Sequence, residues 1–381
     1  MSRIKVCHFS SVHSQTDTRV FYRECRSLAK VYDVTFIGIG NYTGMKDGVF
    51  MIGIPKPGNY LIRFIHTIFK VFGEAIKTDA SIYHIHDAEM ILFGIVLSLS
   101  GKKVIYDIHE NTYQDILLKP WLPAKLRSVF AFCYRIVLQL GSYFMHYIVV
   151  IADPEFLKDF YVKENQYSII QNYADTGALK KYRVSNRSGL PGNNLFYIGM
   201  IRDMYYDIDK LFDALYILKQ KGIETHLHCI GYFGAMTGKD FKKHKHWNVI
   251  KALVIFHGFL EMEEAYEISK TCKVGICLKN QPESMLVSHE RKLFEYMAIG
   301  LPSVFCNTHI YQSLNQKCEV GLCVDLKKPE EIAQAIEQIL FSNELQETFS
   351  NNNIFWSELE YNWEAEALKL LQLYHRLIIP V

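Results

Sequence analysis

Arg291-Lys292-Leu293-Phe294-Glu295-Tyr296-Met297-Ala298-Ile299-Gly300-Leu301-Pro302-Ser303-Val304-Phe305 is the most informative stretch of this 381-residue chain. It predicts a short helix that Gly300 and Pro302 bring to an end, running into a strand. Leu293, Phe294, Met297 and Ala298 recur at helical spacing and make one apolar face. Lys292 and Glu295, three residues apart, share another face. A helix N-terminus at the carboxyl end of a strand favours phosphate through its dipole and its amides. A carboxylate one turn further in can accept hydrogen bonds from ribose hydroxyls. The spacing is equally that of an exposed Lys–Glu pair on a surface helix, and both readings stay open at this point.

Working outward, short apolar runs alternate with helical patterns along the whole chain. In the N-terminal half the strands are Ile4–Phe9, Val34–Ile39, Val49–Ile54, Ile82–His86, Lys103–Ile108, Tyr147–Ile151 and Tyr167–Ile170. Helices fall at Asp17–Lys30, with Asp17 or Thr18 as cap, and at Tyr60–Lys77, Leu92–Leu99 and Ala124–Leu140. Residues 177–193 are polar and rich in breakers, as linkers are. A second alternating series follows, from Leu195–Ile198 to the terminal helix Trp363–Leu377. This order predicts α/β architecture, with two doubly wound, Rossmann-like parallel-sheet domains facing across a cleft. Ligands of such sheets sit at the carboxyl ends of the strands. No Gly-x-Gly-x-x-Gly follows the first strand and no GxxxxGK[ST] loop occurs. Gly231 and Gly234 follow a strand, where glycines usually serve turns.

Composition agrees with a folded, two-domain chain. Hydrophobic residues make up 49% and charged residues 22%, which excludes a disordered protein. The 42 basic residues against 40 acidic ones leave a net charge of +2, too little for a dedicated nucleic-acid binder. Residues 1–150 are locally basic, with 17 Lys and Arg against 11 Asp and Glu. The nine cysteines include no CxxC pair and no zinc spacing, as in reduced, buried thiols and a chain without a metal site. The opening Met1–Val6 carries no secretory leader pattern, so the expectation is a cytoplasmic protein. Val129–Ile151 is the most apolar stretch, but Arg135, Gln139, Gly141 and His146 interrupt it. It reads as a buried helix followed by a strand rather than a membrane span.

The 291–305 segment resembles the donor-binding signature of GT-B glycosyltransferases, in particular the family-4 (group 1) type of bacterial surface-polysaccharide biosynthesis. Other stretches agree in order. Val12–Ala29 resembles the first loop and helix of such proteins, and His84-Ile-His-Asp87 and Val104–Glu110 resemble their strand-end motifs. Ile169–Tyr173 resembles the segment closing the first domain, and Tyr361-Asn-Trp-Glu364 the start of a terminal helix that returns to it. The resemblance implies an N-terminal acceptor domain over 1–176 and a linker over 177–193. A nucleotide-sugar donor domain would cover 194–355, and a returning helix 356–381.

What the resemblance implies chemically is transfer of a sugar from a UDP- or GDP-linked donor, with retention at the anomeric carbon and no metal or other cofactor. The acceptor would be a glycan or a lipid-linked molecule. Glu295 would hold the ribose, with Lys292, Leu293 and Gly199 around the diphosphate. His109 matches the strand-end histidine that faces the donor sugar. Ser11, His13 and Asp87 are candidates on the acceptor side. The family's basic positions after Gly199 are Met200 and Tyr205 here, so Arg202 is expected to replace them, its guanidinium gripping phosphate bidentately. The family's glutamate eight residues before Glu295 is Val287 here. These departures keep two alternatives open: a GT-B-fold binding or assembly protein without catalysis, and a nucleotide-sugar epimerase of the same fold.

The helix Tyr60–Lys77 carries Arg63, Lys70 and Lys77 on one stripe, and Ala124–Leu140 adds Lys125, Arg127 and Arg135. Basic, apolar-rich helices of this kind suit an anionic membrane surface, which makes peripheral attachment an expectation beside ordinary core packing.

Overall fold

The computed structural model describes residues 3–56, 58, 66–109, 112–118, 122–150, 162–199, 208–232, 240–279 and 290–378. The chain divides into two compact units, Met1–Asn172 with Glu364–Val381, and Tyr173–Trp363.

The first unit is built on an eight-stranded sheet: β1 (Lys5–Ser14), β2 (Asp33–Ile39), β3 (Gly44–Lys46), β4 (Val49–Ile54), β5 (Ile82–Ile85), β6 (Lys103–Ile108), β7 (Tyr147–Val150) and β8 (Tyr167–Ile169). The order is β3-β4-β2-β1-β5-β6-β7-β8. Every pair is parallel except β3–β4. The central strands are buried on both faces, and β5 shows no exposed residue, as a sheet covered by helices requires. A π-helical turn, Val20–Cys25, leads into α1 (Arg26–Ala29). Asp17 caps this turn by accepting the amides of Arg19 and Val20 at 2.9 and 2.8 Å. In the wide turn the Glu24 amide donates a hydrogen bond to the Arg19 carbonyl, so their side chains face the same way. Helices α2 (Ile68–Lys77), α3 (Ile91–Leu99), α4 (Thr112–Leu118) and α5 (Ala124–Phe144) follow.

One expectation fails here. Helix α5 is not a buried helix: Val129, Phe130, Phe132, Ile136, Leu140 and Tyr143 are all exposed. The apolar residues of α5 lie around most of its circumference, so burying one side leaves the others in solvent. Among the described residues no helix is long and apolar enough to cross a membrane.

The second unit opens with α6 (Thr176–Leu179). Its six-stranded parallel sheet comprises β9 (Asn194–Ile198), β10 (His226–Ile230), β11 (Val254–Gly258), β12 (Val274–Cys277), β13 (Ser303–Cys306) and β14 (Gly321–Val324). Their order is β11-β10-β9-β12-β13-β14. The helices are α7 (Ile208–Gln220), α8 (Trp247–Ile250), α9 (Met262–Ser269), α10 (Arg291–Ala298), α11 (His309–Cys318), α12 (Pro329–Phe341) and α13 (Asn343–Leu359). The last helix, α14 (Trp363–Ile378), passes from this unit into the first.

Arg187, within the breaker-rich stretch, is buried in the second unit. Its guanidinium donates to the carbonyls of Gly300, Ser269, Cys272 and Ile299 at 2.8–3.0 Å. These carbonyls close the C-terminal ends of α9 and α10, where the helix dipoles favour a cation. All nine cysteines are free thiols, eight of them wholly or partly buried and Cys133 exposed.

Candidate active site

Among the parallel strands of each sheet the order reverses once, between β9 and β12 in the second unit and between β1 and β5 in the first. Open α/β sheets bind ligands outside the carboxyl ends of the strands at such a reversal.

In the second unit β9 is followed by Gly199, whose φ is +140°. A Cβ there would stand in ordinary contact with Lys292 Nζ, at 3.4 Å, so it is the positive φ that calls for glycine. Gly231, read as a turn residue, instead allows close approach: a Cβ on it would collide with the Gly199 carbonyl. Helix α10 presents Lys292 and Glu295, which are 7% and 8% exposed. The exposed-pair reading is therefore wrong, because the apolar face of α10 sinks the helix from Lys292 onward. Lys292 Nζ lies 4.4 Å from the Tyr197 ring centre and 3.5 Å from Glu290 Oε2. Glu290 Oε1 is 2.7 Å from Lys279 Nζ, so one carboxylate is bracketed by two ammonium groups. Glu295 accepts the Tyr266 hydroxyl at 2.7 Å and pairs with Arg291 Nε at 3.0 Å. Burial and the Glu295 charge hold the Tyr266 phenol well above its usual range.

Three cations, Lys279, Arg291 and Lys292, thus stand against two carboxylates, Glu290 and Glu295, at the sheet's reversal. The net positive charge suits a phosphate-bearing ligand. The Leu293 side chain is fully buried in the core of this unit.

Residues 180–355 match the family described as glycosyl transferases group 1. No curated protein sequence matches the chain. Among solved structures, sucrose-phosphate synthase from Thermosynechococcus elongatus superposes with a TM-score of 0.72 at 16% identity, covering 99% of both chains. Anabaena HepE, in complex with UDP and glucose, gives 0.72 at 13% identity over 98% of this chain and 99% of that one. WaaG, a glycosyltransferase involved in lipopolysaccharide biosynthesis, gives 0.72 at 12% over 97% and 99%. The fold of this chain is GT-B.

Within the group 1 segment, Gly199, Lys292 and Glu295 come together. Lys279, Glu290, Arg291 and Tyr266 escaped the sequence reading. Lys279 had one available signal, its position directly after a strand. Arg202, Met200, Tyr205 and Val287 lie outside the described residues.

In the first unit the candidates also converge. Asp87, just past β5, accepts Ser10 Oγ at 2.9 Å and the Ser11 amide at 2.5 Å. Ser11 Oγ lies 3.0 Å from Glu89. His13 Nδ1 bonds Asp17 at 3.1 Å, and its ring centre lies 4.6 Å from that of His109. Burial opposes the charge on His13, but Asp17, Asp87 and Asp107 outweigh it and raise its pKa to about 9. His109 Nε2 sits 3.2 Å from Asp107 Oδ2. Asp107 itself is gripped bidentately by Arg19, both contacts at 3.1 Å. Burial works against the Asp107 charge, yet Arg19 and His109 keep its carboxyl well below the usual range.

Among the described residues two groups place ligating atoms within 4.8 Å of one another: His8, Glu24, His84 and His86, and His86, Asp107 and His109. The His8 and His86 nitrogens approach to 3.0 Å while their ring centres are 5.2 Å apart. The rings therefore meet nearly end to end, as in an N–H···N hydrogen bond, rather than converging on a common ion.

Proposed function

We propose that this chain is a retaining glycosyltransferase that moves a sugar from a UDP- or GDP-linked donor to a glycan or lipid-linked acceptor without a metal. The observation that carries this reading is the buried Lys292–Glu295 face at the strand-order reversal of the group 1 segment. Glu295 takes the ribose, and Lys292 with Lys279 neutralises charge developing on the departing diphosphate. Solved structures of Anabaena HepE contain UDP and UDP-glucose, which favours a uridine donor. Arg202 adds a third cation to the diphosphate, and His109, oriented by Asp107, serves the reacting sugar. Residues 194–355 form the donor domain, and 1–176, joined by 356–381, the acceptor domain.

The acceptor side lies at a membrane, at the cytoplasmic face. This part of the proposal rests on the exposed apolar residues of α5, the exposed Leu92, Val96 and Leu99 of α3, and Phe69 and Ile76 of α2. Lys70, Lys125, Arg127 and Arg135 are carried by α2 and α5. An apolar face bordered by basic residues binds anionic lipid surfaces.

A thermal-shift screen against UDP, GDP and their sugars tests the nucleotide site. Binding at a hundredfold excess over Kd raises stability by about 2.7 kcal/mol. No response to any nucleotide would remove the reading. Slow hydrolysis of the bound donor distinguishes a transferase from a binding protein of the same fold.

A further inference from the structure

Glu290 is the N-cap of α10, with extended backbone at φ −65° and ψ 129°. Ser, Thr, Asp and Asn are the usual N-caps, because their short side chains reach the first helix amides. Glu290 does not cap α10 with its side chain. Its backbone is fixed nonetheless. The amide donates to the hydroxyl of buried Tyr311 at 2.9 Å, and the carbonyl accepts the Leu293 amide at 3.1 Å. The carboxylate turns to two ammonium groups from different elements. Oε1 lies 2.7 Å from Nζ of Lys279, just past β12, and Oε2 lies 3.5 Å from Nζ of Lys292, on α10. The side chains of Glu290, Lys279 and Lys292 are only 11%, 14% and 7% exposed, so salt and water screen them little.

Two ammonium groups on one carboxylate repel each other, and a buried charge without a counter-charge is costly. Glu290 relieves both and leaves the trio with one positive charge in excess. Arg291 and Glu295 form a pair of their own, with Nε 3.0 Å from Oε1, and add no net charge. The dipole of α10 further favours an anion at this end. Glu290 therefore stands on the same two ammonium groups that the functional reading assigns to the diphosphate.

We propose that Glu290 is a specificity-determining residue, a tethered stand-in anion on Lys279 and Lys292 that yields only to a ligand with two or more negative charges. A tethered carboxylate regains its partners without the loss of translational freedom that a free anion suffers. A ligand with a single negative charge, such as a sugar joined to a nucleoside through one phosphodiester, only exchanges one anion for another and is outcompeted. A sugar joined through a diphosphate carries two charges. It meets both ammonium groups at once, and with Glu290 turned away the charges balance. The site thereby selects diphosphate-linked donors over monophosphate-linked ones. Since Tyr311 and Leu293 hold the Glu290 backbone, the exchange is a rotation of one side chain. That the carboxylate makes way for a nucleotide rests on the functional reading above, but its displacement is measurable with inorganic pyrophosphate alone.

Calorimetric titration of the full chain at constant ionic strength, with wild type, Glu290→Gln and Glu290→Asp, tests this. The probes are UDP, inorganic pyrophosphate, uridine and the methyl ester of uridine monophosphate, which has one negative charge. In wild type the ester should bind no more tightly than uridine. In Glu290→Gln, UDP, pyrophosphate and the ester should each gain about tenfold or more, the worth of a hydrogen bond to a charged group, with uridine unchanged. Glu290→Asp keeps the charge but shortens its reach. Its affinity for UDP should fall between the other two, which decides the matter if Glu290→Gln does not fold. Unchanged or weaker binding of UDP and pyrophosphate in the folded variants would overturn the proposal, since a carboxylate that merely positions the lysines is missed when it is removed. An ester that outbinds uridine in wild type would overturn it too. Pyrophosphate that tightens in Glu290→Gln, in a chain that ignores uridine and binds UDP no better than pyrophosphate, would support the stand-in role and remove the nucleotide reading instead.

Discussion

The Tyr266 hydroxyl donates to Glu295 Oε2 at 2.7 Å, while Arg291 Nε stands 3.0 Å from the other carboxylate oxygen. Glu295 is thus a preorganised acceptor, held in one rotamer by two partners from opposite sides. Such a carboxylate meets a ligand without first losing conformational freedom.

Glu295→Ala should weaken nucleotide binding by roughly 1.5–3 kcal/mol, the worth of hydrogen bonds to a charged group. The same change strands the Tyr266 hydroxyl, at a further cost in stability of about 1–3 kcal/mol. Adding Tyr266→Phe should recover most of that stability and none of the binding. Calorimetric titration with UDP and GDP, beside thermal melts of the single and double variants, separates the two effects. Unchanged nucleotide affinity in a folded Glu295→Ala would return the residue to a purely structural role.

Arg187 should prove among the most sensitive positions of the second unit. Its removal takes a donor from four buried carbonyls, of which only that of Ser269 keeps another, the Cys272 amide, at a cost of at least about 3 kcal/mol. Arg187→Lys should rescue only part, since an ammonium cannot reproduce the planar fork that spans four carbonyls. Chemical denaturation of the two variants gives the comparison. An Arg187→Ala chain as stable as wild type would show that the stretch around it is a passive connection.

His13 predicts a pH-dependent stability. Its pKa is raised from 6.5 to about 9 in the folded chain. The contribution is complete below the unfolded value of about 6.5 and is lost as pH rises through about 9. The loss amounts to about 3 kcal/mol at most, counting the His13–Asp17 interaction once. Melting temperature should fall between these pH values, and His13→Gln should flatten the slope. An equal slope in that variant would assign the effect to other groups.

The exposed face of α5 predicts attachment to lipid. Val129→Ser with Phe132→Ser should lower binding to anionic vesicles more than Lys70→Glu does. Raised salt should weaken only the electrostatic share. Co-sedimentation of each variant measures this. Equal pelleting of all forms, or none at low salt, would point to a soluble acceptor.

Much of this was legible in the sequence because periodicity and burial agree there. β4 and β6 were read to the residue, since apolar, strand-favouring residues dominate both runs. The short edge strand β3 was missed because Gly44-Met45-Lys46 has no such run. Helices α11 and α13 were missed because their mixed polar faces give little contrast. At the site, Lys292 and Glu295 were visible through spacing on one helix. Tyr266 and Lys279 were not, because their proximity to that helix is created by the sheet order alone. The exposure of α5 escaped for a different reason: composition reports how apolar a helix is, not whether anything covers it.

Tyr374 lies 290 residues beyond His84, its hydrogen-bond partner, on a helix that belongs to the first unit although the whole second unit precedes it. During synthesis the N-terminal sheet emerges early but lacks the helix that seals its histidine face. The second unit is complete in sequence before that helix leaves the ribosome. Vectorial folding should therefore pass through a species with a finished second unit and an open first one. A nascent chain stalled just before Glu364 should expose the buried histidines to labelling, and release of the last eighteen residues should protect them.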